Sequence, residues 1–239
     1  MRVESPVSPA LVAWGNAWLT GHIGLDEAAD RIEAVAGPTL VAGEPLREHL
    51  AGLRSRGLRE LRLALPAPGD PLGLSGPPDF NTAALDAGQA VIAVLTDAQI
   101  GLVPAPDLRG SSYTGVGFAV HPAGPPRADL PSLSEAEREL AEAMTSATEA
   151  LSRVGGPAQG HPARLEPATA LAPGYPGRAH RVCALAARLA AVLNLTGEDR
   201  GLTSSQMSTR SESLRHLDRA VRRALVASHH AVFEPPRGS

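Results

Sequence analysis

The apolar positions of this chain change their period twice. In "SPALVAWGNAWLTG" Leu11, Trp14 and Trp18 fall on one side of a helix that starts at Ser8 or Pro9 and breaks at Gly21 and Gly24. "LDEAADRIEAVAG" repeats Leu25, Ala28, Ala29, Ile32 and Val35 at helical spacing. Asp26 and Glu27 lie early in it, where negative charge suits the exposed amides, and Gly37 with Pro38 ends it. A third helix, "EPLREHLAGLRSRG", groups Leu46, Leu50 and Leu53 and stops at Gly57.

The period then falls towards two. "LRELRLAL" alternates loosely and halts at Pro66, and "AVIAVL", "IGLVPA" and "YTGVGFAVHP" follow as short Val- and Ile-rich segments. "TDAQ" is short enough to join Leu95 to Ile100 as a hairpin, and "FNTAALDAGQ" predicts a short helix that ends near Gly88. Helical spacing returns in "SEAERELAEAMTSATEAL", where Ser132 and Glu135 stand three apart as a capping box requires. Val182, Leu185, Leu189 and Val192 mark the next helix, and Leu214, Leu217, Val221 and Leu225 the last. Between them lies "VGGPAQGHPARLEPATALAPGYPG", too long for a routine connection.

The expected architecture is therefore α+β, a small and mostly antiparallel sheet of three or four strands packed with N-terminal and C-terminal helices. Residues 1–133 would carry the first helices and the sheet. Residues 134–239 would form a helical region packed on them.

Composition narrows the chemistry. The formal charge of −3 gives the molecule no strong electrostatic identity, but all 22 basic residues are arginine. Without lysine there is no internal Schiff base, no lysine general base and no P-loop lysine. A single cysteine, Cys183, excludes an internal disulfide and a cysteine-rich metal site, and its place in "RVCALAARL" reads as buried. The eight histidines form no HExxH or other ligand pattern, so no metal and no cofactor is expected. His229 and His230, adjacent near the end, read as exposed because neighbouring helical positions do not share a face. No apolar run reaches the length of a membrane span, and "MRVESPVSPALVAW" lacks the apolar centre of a signal peptide. Both features favour the cytoplasm and argue against a membrane.

Two groups of residues are candidates for function. The first is the passage "GDPLGLSGPPDFN". From Pro66 to Phe80 there are five prolines and three glycines, with Asp70 and Asp79 the only charges. Proline preorganises such a loop and glycine permits close backbone approach. Asp70, Asp79 and Asn81 would hold a polar ligand there, with Arg109 opposing an anion and Tyr113 beside it. In the plainer alternative, Asp70 and Asn81 only cap turns. The passage has neither the ligand order of an EF-hand nor a dinucleotide fingerprint, and the chain has no GxSxG elbow.

The second group is Arg215, Arg219, Arg222 and Arg223 on the final helix. From Arg178 to His229 nine arginines face four acidic residues, whereas from Leu63 to Leu133 six aspartates face two arginines. The basic helix either meets a partner or pairs with the acidic middle of its own chain. The scarcity of aromatic residues and the lack of a zinc-finger or RNA-binding motif argue against nucleic acid, which leaves a protein partner. The sequence thus reads as a non-catalytic interaction or regulatory module. The competing reading is a small-molecule-binding enzyme or sensor, with its pocket beneath the loop at residues 66–80. Oligomeric state is not legible.

Overall fold

The structure, a computed structural model, describes residues 6–108, 114–125, 130–154, 170–195 and 204–234. Three helices open the chain, α1 (Val7–Leu19), α2 (Leu25–Ala36) and α3 (Leu46–Ser55). Between α2 and α3 lie two short strands, β1 (Thr39–Val41) and β2 (Glu44–Pro45). Strand β3 (Glu60–Ala64), helix α4 (Pro78–Ala87) and strands β4 (Ala90–Val94), β5 (Gln99–Asp107) and β6 (Gly115–Pro122) follow. Three long helices complete the fold, α5 (Leu133–Val154), α6 (Gly177–Leu195) and α7 (Ser204–His230).

The six strands make one sheet in the order β2-β1-β6-β5-β4-β3. Every neighbouring pair is antiparallel except β1 with β6. The fold is α+β as expected, with two more strands than the sequence suggested. The additional pair is a hairpin of the tightest kind, with Ala42 at φ 51° and Gly43 at φ 84°. Two positive φ values fit the two-residue turn whose twist matches paired strands. Strands of three and two residues are too short to show an alternating pattern. Helix α3 accordingly starts at Leu46, directly after the strand ends at Pro45.

The two sheet faces bury different partners. On one face Val41, Leu61, Leu63, Val91, Ala93, Leu102, Val116 and Phe118 meet helices α1, α2, α3, α5, α6 and α7 in the main core. On the other, α4 lays Phe80 and Ala84 over Ala64, Ile92 and Val103. Phe80 lies directly on Gly101, where a Cβ would stand 2.3 Å from the ring. Guanidinium groups tie the first helices together: Arg31 lies 5.3 Å from the Trp14 ring centre and Arg54 4.9 Å from that of Trp18.

An edge strand exposes a row of unpaired backbone groups, and this sheet closes both of its edges. At one, β2 is two residues long and ends in Pro45, which has no N–H to offer. At the other, β3 is met by side chains. Asn16 of α1, fully buried, donates from Nδ2 to the Leu61 carbonyl and accepts the Leu61 N–H, both at 2.8 Å. The Leu63 N–H donates to His230 Nε2 at 3.0 Å, and Arg222 Nη1 donates to the Leu65 carbonyl at 2.8 Å. Both terminal helical regions therefore supply the hydrogen bonds that a seventh strand would have made.

The predicted capping box closes α5: the Ser132 N–H donates to Glu135 Oε2 at 2.8 Å and the Glu135 N–H to Ser132 Oγ at 3.4 Å. Glu234 caps the same end by accepting the Leu133 N–H at 3.0 Å. Most of the long Gly/Pro passage lies outside the described residues. Its last part returns to the core, with Leu171, Ala172 and Tyr175 buried.

Candidate functional site

The Pro/Gly-rich passage begins with a tight turn. Ala67 and Asp70 exchange both backbone hydrogen bonds at 2.9 Å around Pro68 and Gly69, the latter at φ 78°. Proline followed by a glycine of positive φ is the sequence of a type II turn. The turn aims the Asp70 carboxylate at α7, where it accepts from Arg222 Nη2 at 3.0 Å and lies 3.6 Å from Arg219 Nε. Arg222 also donates from Nε to Asp218 Oδ2 at 2.9 Å. Three of its five N–H groups are thus spent inside the chain, on Asp70, Asp218 and the Leu65 carbonyl.

Beyond the turn the chain passes Leu72, buried at φ 31°, a backbone conformation that packing must hold. Ser75 and Gly124 then join the loop to the end of β6: Gly124 N–H donates to the Ser75 carbonyl at 2.8 Å and Ser75 Oγ to the Gly124 carbonyl at 3.2 Å. An open groove of about 670 Å³ lies between this junction and α4. Pro71, Leu74, Pro77 and Leu85 supply its apolar wall, and Ser75 and Asn81 its polar side chains. Asn81 Nδ2 donates to the Gly76 carbonyl at 2.9 Å, while its Oδ1 is buried without a hydrogen-bond partner.

Of the residues expected around a ligand, the groove takes Asn81. Asp70 turns towards α7, and Asp79 is exposed in the first turn of α4. Arg109 and Tyr113 lie outside the described residues.

The four arginines of α7 divide by depth. Arg222 and Arg223 are mostly covered, and Arg223 Nε pairs with Glu139 of α5 at 2.8 Å. Arg215 is exposed and donates to the Ser211 carbonyl of its own helix at 3.1 Å, and Arg219 is 58% exposed. A smaller cleft of about 260 Å³ between α5 and α7 is lined by Glu139, Glu142, His216, Arg219 and Arg223. Pairing of the basic helix with the acidic middle of the chain is realised at Asp70.

A buried polar cluster near the end of α7 was not legible in the sequence. His229 is fully buried rather than exposed, because α7 ends inside the core against β3 and the returning loop. Its Nδ1 lies 2.7 Å from the Leu225 carbonyl and its own carbonyl accepts from the Tyr175 hydroxyl at 3.1 Å. Burial pushes His229 down to about 4. It also pushes His230 down to about 3, helped by the positive charge of Arg62. Burial raises the Cys183 thiol to about 11 and lifts Tyr175 above the ordinary tyrosine value. All four are held neutral, so Cys183 is no thiolate nucleophile and neither histidine is poised near neutral pH. Asn16 was the one readable signal, a lone amide within the otherwise apolar run "LVAWGNAWL".

Among the described residues no three His, Cys, Asp or Glu side chains are placed to hold a metal ion. No helix of those residues is long and apolar enough to cross a membrane.

Two family models match the chain, that of the Rv1486c-like protein N-terminal domain over residues 8–131 and that of the Rv1486c-like protein C-terminal domain over residues 134–226. The chain belongs to the Rv1486c-like family. The uncharacterized protein Rv1486c of Mycobacterium tuberculosis strain H37Rv is 32% identical over 190 residues, a match covering 62% of this chain and 65% of that protein. The uncharacterized protein MT1533 of strain CDC 1551 matches to the same extent. The chain thus spans just under two thirds of the length of these curated relatives. No solved structure matches.

Proposed function

We propose that this member of the Rv1486c-like family is a non-catalytic interaction module whose contact surface lies on α6 and α7. The observation that carries the reading is the pair Leu185 and Val192, 40% and 41% exposed and one heptad apart on α6. What sets the two apart from other exposed apolar side chains is their alignment on one face of a regular helix, where they form a strip that a partner can cover. Arg215 of α7 adds open positive charge and Arg219 an exposed guanidinium beside Asp70, whereas Arg222 and Arg223 serve the fold. The burial of Cys183, Tyr175 and His229 is in keeping with a module that carries no reaction.

The test is affinity capture from the native host with three baits: the wild type, Arg215→Glu with Arg219→Glu, and Leu185→Asp with Val192→Asp. A partner held by the wild type and lost with either double variant is expected. Recovery of the same proteins with all three baits would refute the reading.

A second reading is favoured by the groove beneath the Pro/Gly-rich loop. Its volume lies within the range of small-ligand sites, and Ser75 and Asn81 would fix a ligand's orientation against the proline wall. Arg109 and Tyr113 stay candidates on sequence grounds, as do Asp70 and Asp79. A small-molecule thermal shift that vanishes in Leu85→Trp, which fills the groove, would support a sensor or enzyme. A shift that survives that substitution would place the ligand elsewhere.

A further inference from the structure

The outward face of α6 carries a pattern that no other described residue covers. Arg181, Leu185, Arg188 and Val192 are all exposed, at successive spacings of four, three and four residues. At about 100° per residue the four lie within an arc of about 60°. The opposite face is spent on the core, where Ala179, Val182, Cys183 and Ala186 are buried. Along this seam arginine and aliphatic side chains alternate, and no acidic residue occurs between Gly177 and Leu195.

A seam of four-three spacing is what a second helix packs against with its own apolar repeat. The alternation decides which helix. A second copy of α6 running parallel would set Arg181 on Arg181 and Arg188 on Arg188. Running antiparallel, it would set Arg181 on Val192 and Leu185 on Arg188. Neither arrangement joins aliphatic to aliphatic without also burying guanidinium groups unpaired, which is costly. A helix with leucine-like residues facing Leu185 and Val192, and glutamate or aspartate facing Arg181 and Arg188, satisfies all four positions. Arginine suits such a seam because its long stem covers apolar surface while its planar head pairs with a carboxylate.

We infer that the α6 face is a docking site for an acidic amphipathic helix of another protein. The inference rests on the interaction reading above and adds the chemistry of the partner. The experiment titrates the full chain into two labelled three-heptad peptides with the same leucine seam, one flanked by glutamate and one by lysine. The glutamate peptide should bind more tightly by at least about tenfold and weaken as salt is added. Leu185→Asp with Val192→Asp should abolish binding, and Arg188→Glu should shift the preference towards the lysine peptide. These positions are exposed, so unchanged thermal melting will show that the variants fold. Equal binding of the two peptides, no binding of either, or binding that survives the aspartates would overturn the inference. Duplex DNA binding tighter than the glutamate peptide and lost in Arg181→Glu with Arg188→Glu would assign the face to nucleic acid instead. Self-association in sedimentation, lost in Leu185→Asp, would leave the interaction module standing and overturn the acidic partner.

Discussion

Replacing Asn16 tests how much of this fold depends on side chains that stand in for a strand. Asn16 is fully buried and completes both hydrogen bonds of Leu61 on the outer edge of β3. Asn16→Ala strands one N–H and one C=O in the core, each at a cost of about 1–3 kcal/mol. The sum is about 2–6 kcal/mol, and water entering the small space left behind draws it towards the lower half, about 3 kcal/mol. For a chain of this size that corresponds to a fall in Tm of about 6–12 °C. Urea titration followed by tryptophan fluorescence is a direct assay, because Trp14 and Trp18 lie on the same helix as Asn16.

Asn16→Asp sharpens the test. The carboxylate still accepts from the Leu61 N–H but repels the Leu61 carbonyl, whereas the protonated acid donates to it. Burial raises the folded-state pKa of the introduced acid above its unfolded value of about 3.9. The deficit of Asn16→Asp relative to wild type, compared at each pH, is therefore largest at neutral pH and shrinks as the pH falls through the folded pKa. A loss below about 1 kcal/mol in Asn16→Ala, or a deficit in Asn16→Asp that is the same at pH 7 and pH 5, would refute the edge-sealing argument.

The two histidines that end α7 give the wild type an acid limit. Their folded pKa values, about 4 for His229 and about 3 for His230, lie below the unfolded value, so the unfolded chain binds more protons between about pH 6.5 and those values. Stability should be complete above that window and decline as the pH falls through it, and a urea midpoint that stays flat from pH 7 to pH 5 would contradict this. Two glycines of the sheet should respond in opposite ways: Gly101→Ala drives a methyl group into Phe80 and should cost about 1–3 kcal/mol, while Gly117→Ala meets nothing within 4 Å and should be neutral or slightly stabilising in chemical denaturation. Arg222→Met should destabilise by about 2 kcal/mol, since it leaves the mostly covered Asp70 and the Leu65 carbonyl short of a donor. Arg215→Met, on the exposed side of the same helix, should change the urea midpoint little.

Periodicity carried most of the architecture because the long elements bury one face each. Leu46, Leu50 and Leu53 predict α3, and all three are buried. Ser132 with Glu135 predicts the start of α5, and the reciprocal hydrogen bonds form. The hairpin of β1 and β2 was hidden for a physical reason: five strand residues around Ala42 and Gly43 carry no alternation, and the parallel pairing of β1 with β6 is set by a partner 77 residues away along the chain. The candidate site was legible in part. A stiff, turn-rich passage at residues 66–80 does border a groove, and Asn81 does line it. What Asp70 does was beyond local reading, because its partner Arg222 is 152 residues distant. The same holds for His229 and His230, whose neighbours are set by where α7 ends rather than by the residues beside them.

These long-range pairings converge on one strand, and that convergence bears on where function can reside. Asn16 belongs to the segment matched by the N-terminal family model, Arg222 to that matched by the C-terminal one, and His230 lies just beyond it at the end of α7. All three bind the backbone of the chain between Leu61 and Leu65. The edge of the sheet is thus completed only when both segments are present, and the inner side of α7 has little freedom to vary. Arg222 holds the start of the 66–77 loop through Asp70 at the same time, so one guanidinium ties that loop and the sheet edge to the final helix. Among the described residues the outer side of α6 is bound by no such duty: its arginine and aliphatic seam supports neither the sheet edge nor the loop at residues 66–77. A surface with no structural task among the described residues is where a partner preference can be written into the sequence without disturbing the fold, and that is the physical reason to test the proposed contact at Leu185, Arg188 and Val192 before the arginines of α7.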